Sequence, residues 1–510
     1  MLSRLERDFE PFSLSGVLII SLIFGLANAL VRLATCVNLA LDDTKQNVFT
    51  QKLAWGYLPD NPPLYEWTLT FVQQITGPNL FSFLIVKYAL MTVTAVFLFL
   101  AGRRLFRSEK WAALTVFSTI LLYQLGYNYH QAFTHSLMVI AAVAFSFWAF
   151  VRLIQQPGLG NYILFGASVG LGVLSKYNFT GFLAVMVLTG LLDRETRRVL
   201  FDWRMLIAAG LAALIAAPHF VWLHQNQDLF VTYVSNKLGQ TNGGYAGRVG
   251  EGISNSLVAV ISFYLPFVLI AALTFRGAFM PARMAQLPED PLMRLLARSS
   301  AVAFALILLG VVLFGISNVT ERYVIPFFLP GFFWMMWLLK GSSTPARVDR
   351  WVAVLGAAAL ILLLVRFIGV FYPGSPVCDD CQRWRPYAEI RKEIRLAGLD
   401  EQAIYLGYEE DTSGNLRRLL PNAAVRSINL RFYNPLDESD IGKPCYFVWS
   451  EELLGQPVQA QFRHIADQSE TIHVSAQWWH PLKRSGWRET KWGISPITDT
   501  DRLYKNLCTP

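Results

Sequence analysis

The stretch LDDTKQNVFTQKLAWGYLPDNPPLYEW, residues 41–67, lies between two long apolar runs. It opens with two adjacent carboxylates, Asp42 and Asp43, and a third, Asp60, stands shortly before a Pro-Pro pair. A bilayer core of about 30 Å needs roughly 20 apolar residues per helix, and both flanking runs are long enough. The stretch therefore predicts a membrane fold in which acidic and aromatic residues gather at one membrane edge.

The composition supports a membrane protein. Of the 510 residues, 54% are hydrophobic and 16% are charged, whereas a soluble chain would carry about a quarter charged residues. The apolar runs lack the period-two alternation of outer-membrane strands, so we predict an α-helical polytopic protein. Eleven spans are expected near residues 13–35, 80–101, 111–127, 133–153, 161–176, 179–192, 205–224, 253–275, 300–317, 325–340 and 351–371.

The basic residues predict the orientation. Basic residues precede the first span and follow the second, sixth, eighth and tenth spans, and such clusters mark the cytoplasmic side. The loop that opens with Asp42 then faces outwards, as does the chain after about residue 372. The net charge of +8 largely reflects this topology and is weak evidence for nucleic acid, so no nucleic-acid partner is expected.

The chain is predicted to form two domains, a membrane domain at 1–371 and a soluble outer domain at 372–510. The second domain has the pattern of a small mixed α/β fold, with helices in RPYAEIRKEIRLAGL and SGNLRRLLP and strands in AIYLGY, AAVRSINL and CYFVWS. It also holds four cysteines. In an oxidising compartment we expect disulfides, preferably Cys378 with Cys381 and Cys445 with Cys508, rather than a redox motif or half a zinc site.

Two amphipathic helices are expected in the first outer loop, at 43–54 and 63–76, broken at the Pro-Pro pair and lying on the membrane surface. Near such a boundary, Asp42 and Asp43 would be partly desolvated and suited to accept a proton. The alternative is that Asp42 simply caps the helix, since Asp is a good N-cap.

Cations are predicted at the same face. Lys176 lies at the turn between two apolar spans, where an ionisable group is a functional candidate, although a snorkelling lysine would also fit. Arg322 and Tyr323 repeat the pattern at another outer turn, and Lys45 lies beside the paired acids. A lipid-linked sugar would use both kinds of group, since cations stabilise the leaving phosphate and one carboxylate deprotonates the acceptor hydroxyl.

A metal site is not favoured. His219 and His224 are five residues apart, whereas the histidines of a zinc helix are four apart. His473 and His480 are expected to be surface or packing residues. The sequence therefore identifies no definite cofactor. A divalent metal remains an alternative that we do not favour.

Four motifs resemble those of the lipid-linked-sugar glycosyltransferases of the GT-C class. They are DDTK, LAWGYLPDNPPLYEW, GLGVLSKYNF and ERYVIPFFLP, in this order along the chain. The resemblance is greatest to a bacterial branch that holds protein-mannosyltransferase-like enzymes, the aminoarabinose transferases of lipid A and the lipopolysaccharide galacturonic acid transferases.

The resemblance implies that Asp42 is the catalytic base, that Asp43 supports it, and that Lys176 and Arg322 lie near the donor phosphate or sugar. The other expected donor contacts are Lys45, Tyr57, Asp60, Asn61, Tyr177 and Tyr323. The chain departs from the family at two of its positions. Asn61 precedes the prolines where relatives often carry a basic residue or His, and His135 stands where many have an acid.

The expected function is inverting transfer of a sugar from a polyprenyl-phosphate donor to an envelope glycolipid or glycan, of the lipid A or lipopolysaccharide core type. The expected place is the periplasmic face of a bacterial inner membrane, with the lipid bilayer as surroundings. The alternatives are a flippase for lipid-linked sugars, a protein O-glycosyltransferase and a non-catalytic scaffold. A transporter should carry ionisable groups near the bilayer midplane, whereas the charges here gather at one face.

Overall fold

A computed structural model describes the chain over residues 10–34, 37–131, 133–239, 244–371, 385–430, 432–451, 462–479 and 487–510. The longer helices are α1 (Leu14–Leu33), α2 (Asp42–Phe49), α3 (Leu64–Thr76), α4 (Leu80–Phe106), α5 (Glu109–Ser118), α6 (His135–Gln155), α7 (Leu159–Ser175), α8 (Phe179–Leu191), α9 (Arg204–Gln225), α10 (Gln227–Lys237), α11 (Tyr245–Thr274), α12 (Pro291–Phe314), α13 (Glu321–Gly341), α14 (Pro345–Phe371), α15 (Tyr387–Leu396) and α16 (Glu410–Leu419). Short helical turns occur at Tyr123–Gly126, Arg194–Leu200, Pro281–Met284, Arg463–Ala466 and Tyr504–Leu507.

A helix begins close to each predicted span. Within the described residues, eight helices are long and apolar enough to cross a membrane, and α7 and α8 are shorter apolar helices. The third predicted span is the exception, because α5 ends at Ser118 and short turns follow. The prediction of one continuous helix over 111–127 was therefore wrong. These turns bring the backbone at Gly126 close to the Ile120 carbonyl, and a Cβ on Gly126 would lie 2.0 Å from its oxygen.

The centre of the membrane domain is formed by α6 and α13, whose residues are mostly buried. The outer helices α1, α9 and α14 bury few residues and expose leucines and isoleucines, as expected for helices that face lipid. Local signals fix some ends, since the Asn79 side chain accepts hydrogen bonds from Phe81 and Ser82 and so caps α4.

The strands lie after residue 400 in the described part of the chain. They are β1 (Ile404–Gly407), β2 (Ala424–Ser427), β3 (Cys445–Ser450), β4 (Ile472–Trp479) and β5 (Trp487–Pro496). They form one sheet in the order β2-β1-β3-β5-β4, with β1 parallel to β2 and β3 and the remaining pairs antiparallel. The sequence predicted β1, β2 and β3 but missed the last two strands.

A disulfide joins Cys445 and Cys508, the pair expected from the sequence. It ties the start of β3 to the end of the chain. Nearby, the Arg426 guanidinium donates to the carbonyls of Asn506 and Leu507, which holds the same segment. Cys36, Cys378 and Cys381 lie outside the described residues, so the second predicted bridge stays a prediction.

The sheet domain packs directly on α2, the first of the two helices between α1 and α4. Asn415 and the backbone of Leu39 exchange hydrogen bonds at 3.0 and 3.2 Å, and Gln51 and Val425 do so at 2.6 and 2.8 Å. Gly414 is needed at this contact, because a Cβ there would lie 2.3 Å from the Thr44 carbonyl oxygen. The soluble domain therefore positions the helix that carries the paired acids.

Candidate active site

Asp42 is the first residue of α2. The residue that precedes the helix is Leu41, whose φ of 56° lies in the left-handed region, and no side chain makes a capping hydrogen bond there. The capping alternative for Asp42 is therefore excluded. A non-glycine residue in this conformation is strained, and such strain tends to be kept where function requires it. Asp42 is exposed and Asp43 is buried, so the expected desolvation applies to the second acid only.

The Asp42 side chain borders a polar cavity of about 190 Å³. We call it the polar cavity. Residues from the first outer loop meet residues from α6, from the turn after α7 and from the start of α13. The lining is Asp42, Lys45, Gln46, Asp60, Asn61, His135, Ser136, Lys176, Arg322 and Tyr323. Segments far apart in the chain thus bring one candidate base and three candidate cations to one place.

Lys45 lies beside carboxylates at this cavity. Its Nζ lies 4.0 Å from Oδ2 of Asp60. Burial alone would lower the pKa of the Lys45 amine, but nearby carboxylates, Asp60 foremost, outweigh this and raise that pKa above its ordinary value. The next contributor is Glu410 on α16, whose own pKa is raised by burial. Lys45 therefore stays charged, and the soluble domain contributes to the electrostatics of the cavity.

Lys176 and Arg322 lie around one aromatic ring. The Lys176 amine is 5.5 Å from the centre of the Tyr323 ring, and the Arg322 guanidinium carbon is 5.1 Å from it. Lys176 also donates to Ser136 Oγ at 3.0 Å, and Arg322 donates to the Tyr323 hydroxyl at 3.2 Å. Two cations held on one ring form a preorganised site for an anion such as a phosphate.

His135 is fixed by a buried acid. Its Nε2 lies 3.0 Å from Oε1 of Glu66, and its Nδ1 lies 3.2 Å from the Thr134 hydroxyl. Both ring nitrogens are thus engaged, which sets the orientation of the imidazole. Glu66 on α3 thus supplies a carboxylate to the same region as His135.

An apolar cavity of about 380 Å³ adjoins the polar cavity. The two share Asp60, Lys176 and Tyr323. Its walls come mainly from α10, α12 and α13, with the turn between α7 and α8. The apolar lining residues are Phe230, Val234, Leu238, Leu306, Ile307, Val311, Ile316, Val319, Val324 and Phe327. An anion bound at Lys176 could therefore carry a long apolar chain into this second space.

Three predicted residues lie elsewhere. Tyr177 borders the apolar cavity, where its hydroxyl lies 3.0 Å from His219 Nε2. Tyr57 is buried against Phe49 and Tyr433 between the outer loop and the soluble domain. Asp43 borders a separate small cavity, whose other charged or titratable residues are Arg32, Lys87, His130 and Arg366. The structure does not bring Tyr57, Tyr177 or Asp43 into the polar cavity.

Among the described residues, no group of three or more His, Cys, Asp or Glu side chains is placed to hold a metal ion. His219 donates from Nδ1 to the Trp55 carbonyl at 2.8 Å, so it joins α9 to the outer loop.

Four residues at or near the polar cavity were not predicted from the sequence: Gln46, Glu66, Ser136 and Glu410. Gln46 could have been found from its spacing, because it follows Asp42 by four residues on a helix and so shares its face. Nothing local distinguishes Glu66 or Glu410, because their relation to the cavity depends on how α3 and α16 pack.

The fold and this site define a class, the membrane glycosyltransferases of the GT-C type. The family model for dolichyl-phosphate-mannose-protein mannosyltransferase matches residues 60–222. The crystal structure of ArnT from Cupriavidus metallidurans bound to undecaprenyl phosphate has the same fold, with a TM-score of 0.60 and 13% identity, over 94% of this chain and 97% of that one.

Two relatives are more similar in sequence. The chain is 32% identical to the lipopolysaccharide core galacturonosyltransferase RgtA of Rhizobium johnstonii, over 82% of this chain and 83% of the relative. It is 30% identical to RgtB of the same organism, over 82% and 84%. The chain therefore belongs to the GT-C glycosyltransferase family that includes these galacturonosyltransferases. It is a glycosyltransferase and a multi-pass membrane protein.

Proposed function

We propose that this enzyme transfers galacturonic acid from a polyprenyl-phosphate donor to a sugar of the lipopolysaccharide core, at the periplasmic face of the inner membrane. The observation that carries the proposal is the polar cavity, which places Asp42 together with Lys176 and Arg322. The acids and cations inferred from separate motifs would then act on one substrate.

The roles follow from charge and shape. The leaving group is a lipid phosphate, which Lys176 and Arg322 stabilise as the glycosidic bond breaks. The apolar cavity receives the first part of the polyprenyl chain. Asp42 accepts the proton of the acceptor hydroxyl as that oxygen attacks the anomeric carbon. A single displacement of this kind inverts the anomeric configuration.

The choice of sugar and lipid rests on the relatives. RgtA and RgtB carry the name of lipopolysaccharide core galacturonosyltransferases, and ArnT was crystallised with undecaprenyl phosphate. A galacturonic acid donor carries two anionic groups, the phosphate and the sugar carboxylate. A cavity lined by Lys45, Lys176 and Arg322 suits such a ligand.

The test is an assay with purified protein, polyprenyl-phosphate galacturonic acid and a lipopolysaccharide core acceptor. The expected result is release of free polyprenyl phosphate together with a core that has gained the mass of one galacturonic acid residue. Asp42→Asn serves as the matched control. Donor that crosses a vesicle membrane without release of polyprenyl phosphate would indicate a flippase, and no reaction with any core acceptor would refute the proposal.

A protein acceptor is the second candidate, because the matching family model is named for protein mannosyltransferases. Replacing the core glycolipid by periplasmic proteins in the same assay separates the two. Transfer to protein alone would favour this candidate.

A further inference from the structure

Gln46 differs from the other amides near α2. Its side chain is 2% exposed, and its Oε1 is buried without a hydrogen-bond partner among the described residues. It borders the polar cavity, as does Asn61, whose Oδ1 is likewise buried and without a partner there. A buried carbonyl oxygen without a partner is costly, so it usually marks a place that a ligand or water fills.

The neighbouring amides provide a comparison on the same segment. Asn47 donates to the Gly414 carbonyl at 2.9 Å and accepts from Gln73 at 2.9 Å. Gln51 donates to two carbonyls and accepts from the Val425 amide at 2.8 Å. Those side chains hold the soluble domain and the outer loop together. Gln46 faces the cavity instead.

The position of Gln46 identifies the class of its ligand. It follows Asp42 by one helical turn, so both face the same space, with Lys176 and Arg322 also on the cavity wall. If the cations hold the donor phosphate and Asp42 faces the anomeric carbon, the sugar ring must occupy the remaining volume. This step rests on the proposed function.

The two orphaned atoms are acceptors, so they favour a ligand group that donates hydrogen bonds. A carbonyl oxygen accepts hydrogen bonds and repels an anionic oxygen, whereas a sugar hydroxyl donates to it. We infer that Gln46, aided by Asn61, binds ring hydroxyls of the donor sugar and thereby helps to select which sugar is transferred. A site that pairs with a substrate hydroxyl discriminates strongly against analogues that lack it.

The experiment compares Gln46→Met with a matched control, Gln51→Met. Methionine keeps the length of glutamine and removes its hydrogen-bonding atoms. Binding of two probes is measured on the full chain in nanodiscs, polyprenyl-phosphate galacturonic acid and bare polyprenyl phosphate. Gln46→Met should weaken binding of the sugar-bearing probe about 10- to 100-fold and leave the bare probe unchanged. Gln51→Met should leave the ratio of the two affinities at its wild-type value.

A series of donors that each lack one ring hydroxyl adds a second readout. One of them should bind the wild type and Gln46→Met equally, because the contact is already missing. Equal weakening of both probes by Gln46→Met would overturn the inference, since it would indicate a phosphate contact or a structural role. If the ratio of the two affinities is the same in Gln46→Met as in the wild type, the proposed contact between Gln46 and the sugar is refuted, but the proposed function is not. If the wild type itself binds both probes with equal affinity, both the proposed donor and the proposed Gln46 contact are refuted.

Discussion

His135 Nε2 lies 3.0 Å from Glu66 Oε1, and this buried pair joins the central helix α6 to α3. His135 borders the polar cavity, whereas Glu66 stands behind it. The pair therefore links the fold of the outer loop to the wall of the site. Removing only one partner of a buried ion pair or hydrogen-bonded pair destabilises a protein, because the other partner is left buried and unpaired.

We expect Glu66→Ala and His135→Ala each to lower the free energy of unfolding by about 1–3 kcal/mol, because each leaves a buried polar partner unpaired. The double variant should lose less than the sum of the two single losses. Unfolding temperatures of the wild type, the two single variants and the double variant, measured in one detergent, give the coupling between the two side chains. Fully additive losses would show that the two side chains do not depend on each other.

Asp42→Asn should keep the fold and the membrane insertion but lower the rate of transfer by about 10²–10⁴-fold, because the amide cannot accept a proton. Asp43→Asn should affect activity less and stability more, since Asp43 is buried in another cavity. Single-turnover rates and unfolding temperatures of both variants check this order. A fully active Asp42→Asn protein would move the role of base to another carboxylate.

Lys176→Met and Arg322→Met should weaken binding of bare polyprenyl phosphate about 10- to 100-fold, because each removes a charged group expected to contact the phosphate. Arg298→Met provides the control, since this arginine donates to the Leu192 carbonyl and neither residue lines the polar cavity. Affinities measured in nanodiscs decide the matter. Unchanged affinity in both variants would place the phosphate elsewhere.

Gly414→Val should reduce transfer although Gly414 is not part of the cavity. The new side chain would clash with the Thr44 backbone and push α16 away from α2. Gly250→Ala is the matched control, because nothing lies within 4 Å of its added Cβ. Activity and limited proteolysis of the soluble domain are the measurements. Wild-type activity in Gly414→Val would show that the contact does not position α2.

Cys445→Ser should destabilise the soluble domain by about 4 kcal/mol at most, because the disulfide closes a loop of 63 residues in the unfolded chain. Added reductant should lower the unfolding temperature of the wild type towards that of the variant. If reductant and substitution both leave the unfolding temperature unchanged, the bridge does not contribute to stability.

The sequence by itself determined the membrane fold, because a helix that crosses a bilayer must satisfy its own backbone and therefore needs a long apolar run. Such runs, the caps such as Asn79, and strands β1 to β3 are local patterns, and the structure has elements at these positions. Strands β4 and β5 were missed, and the broken helix after Ser118 was not foreseen.

The site was only partly determined. Local motifs pointed to Asp42, Lys176 and Arg322, yet their meeting in one cavity depends on the packing of α2, α7 and α13. The resemblance implied Asp42 rather than Asp43 as the base, and adjacent residues on a helix point about 100° apart, so the two acids border different cavities. The packing of α2 decides which acid faces the polar cavity, and packing likewise placed Tyr57 in a hydrophobic core and Gln46 at the cavity wall. These contacts join segments hundreds of residues apart, and no local pattern encodes them.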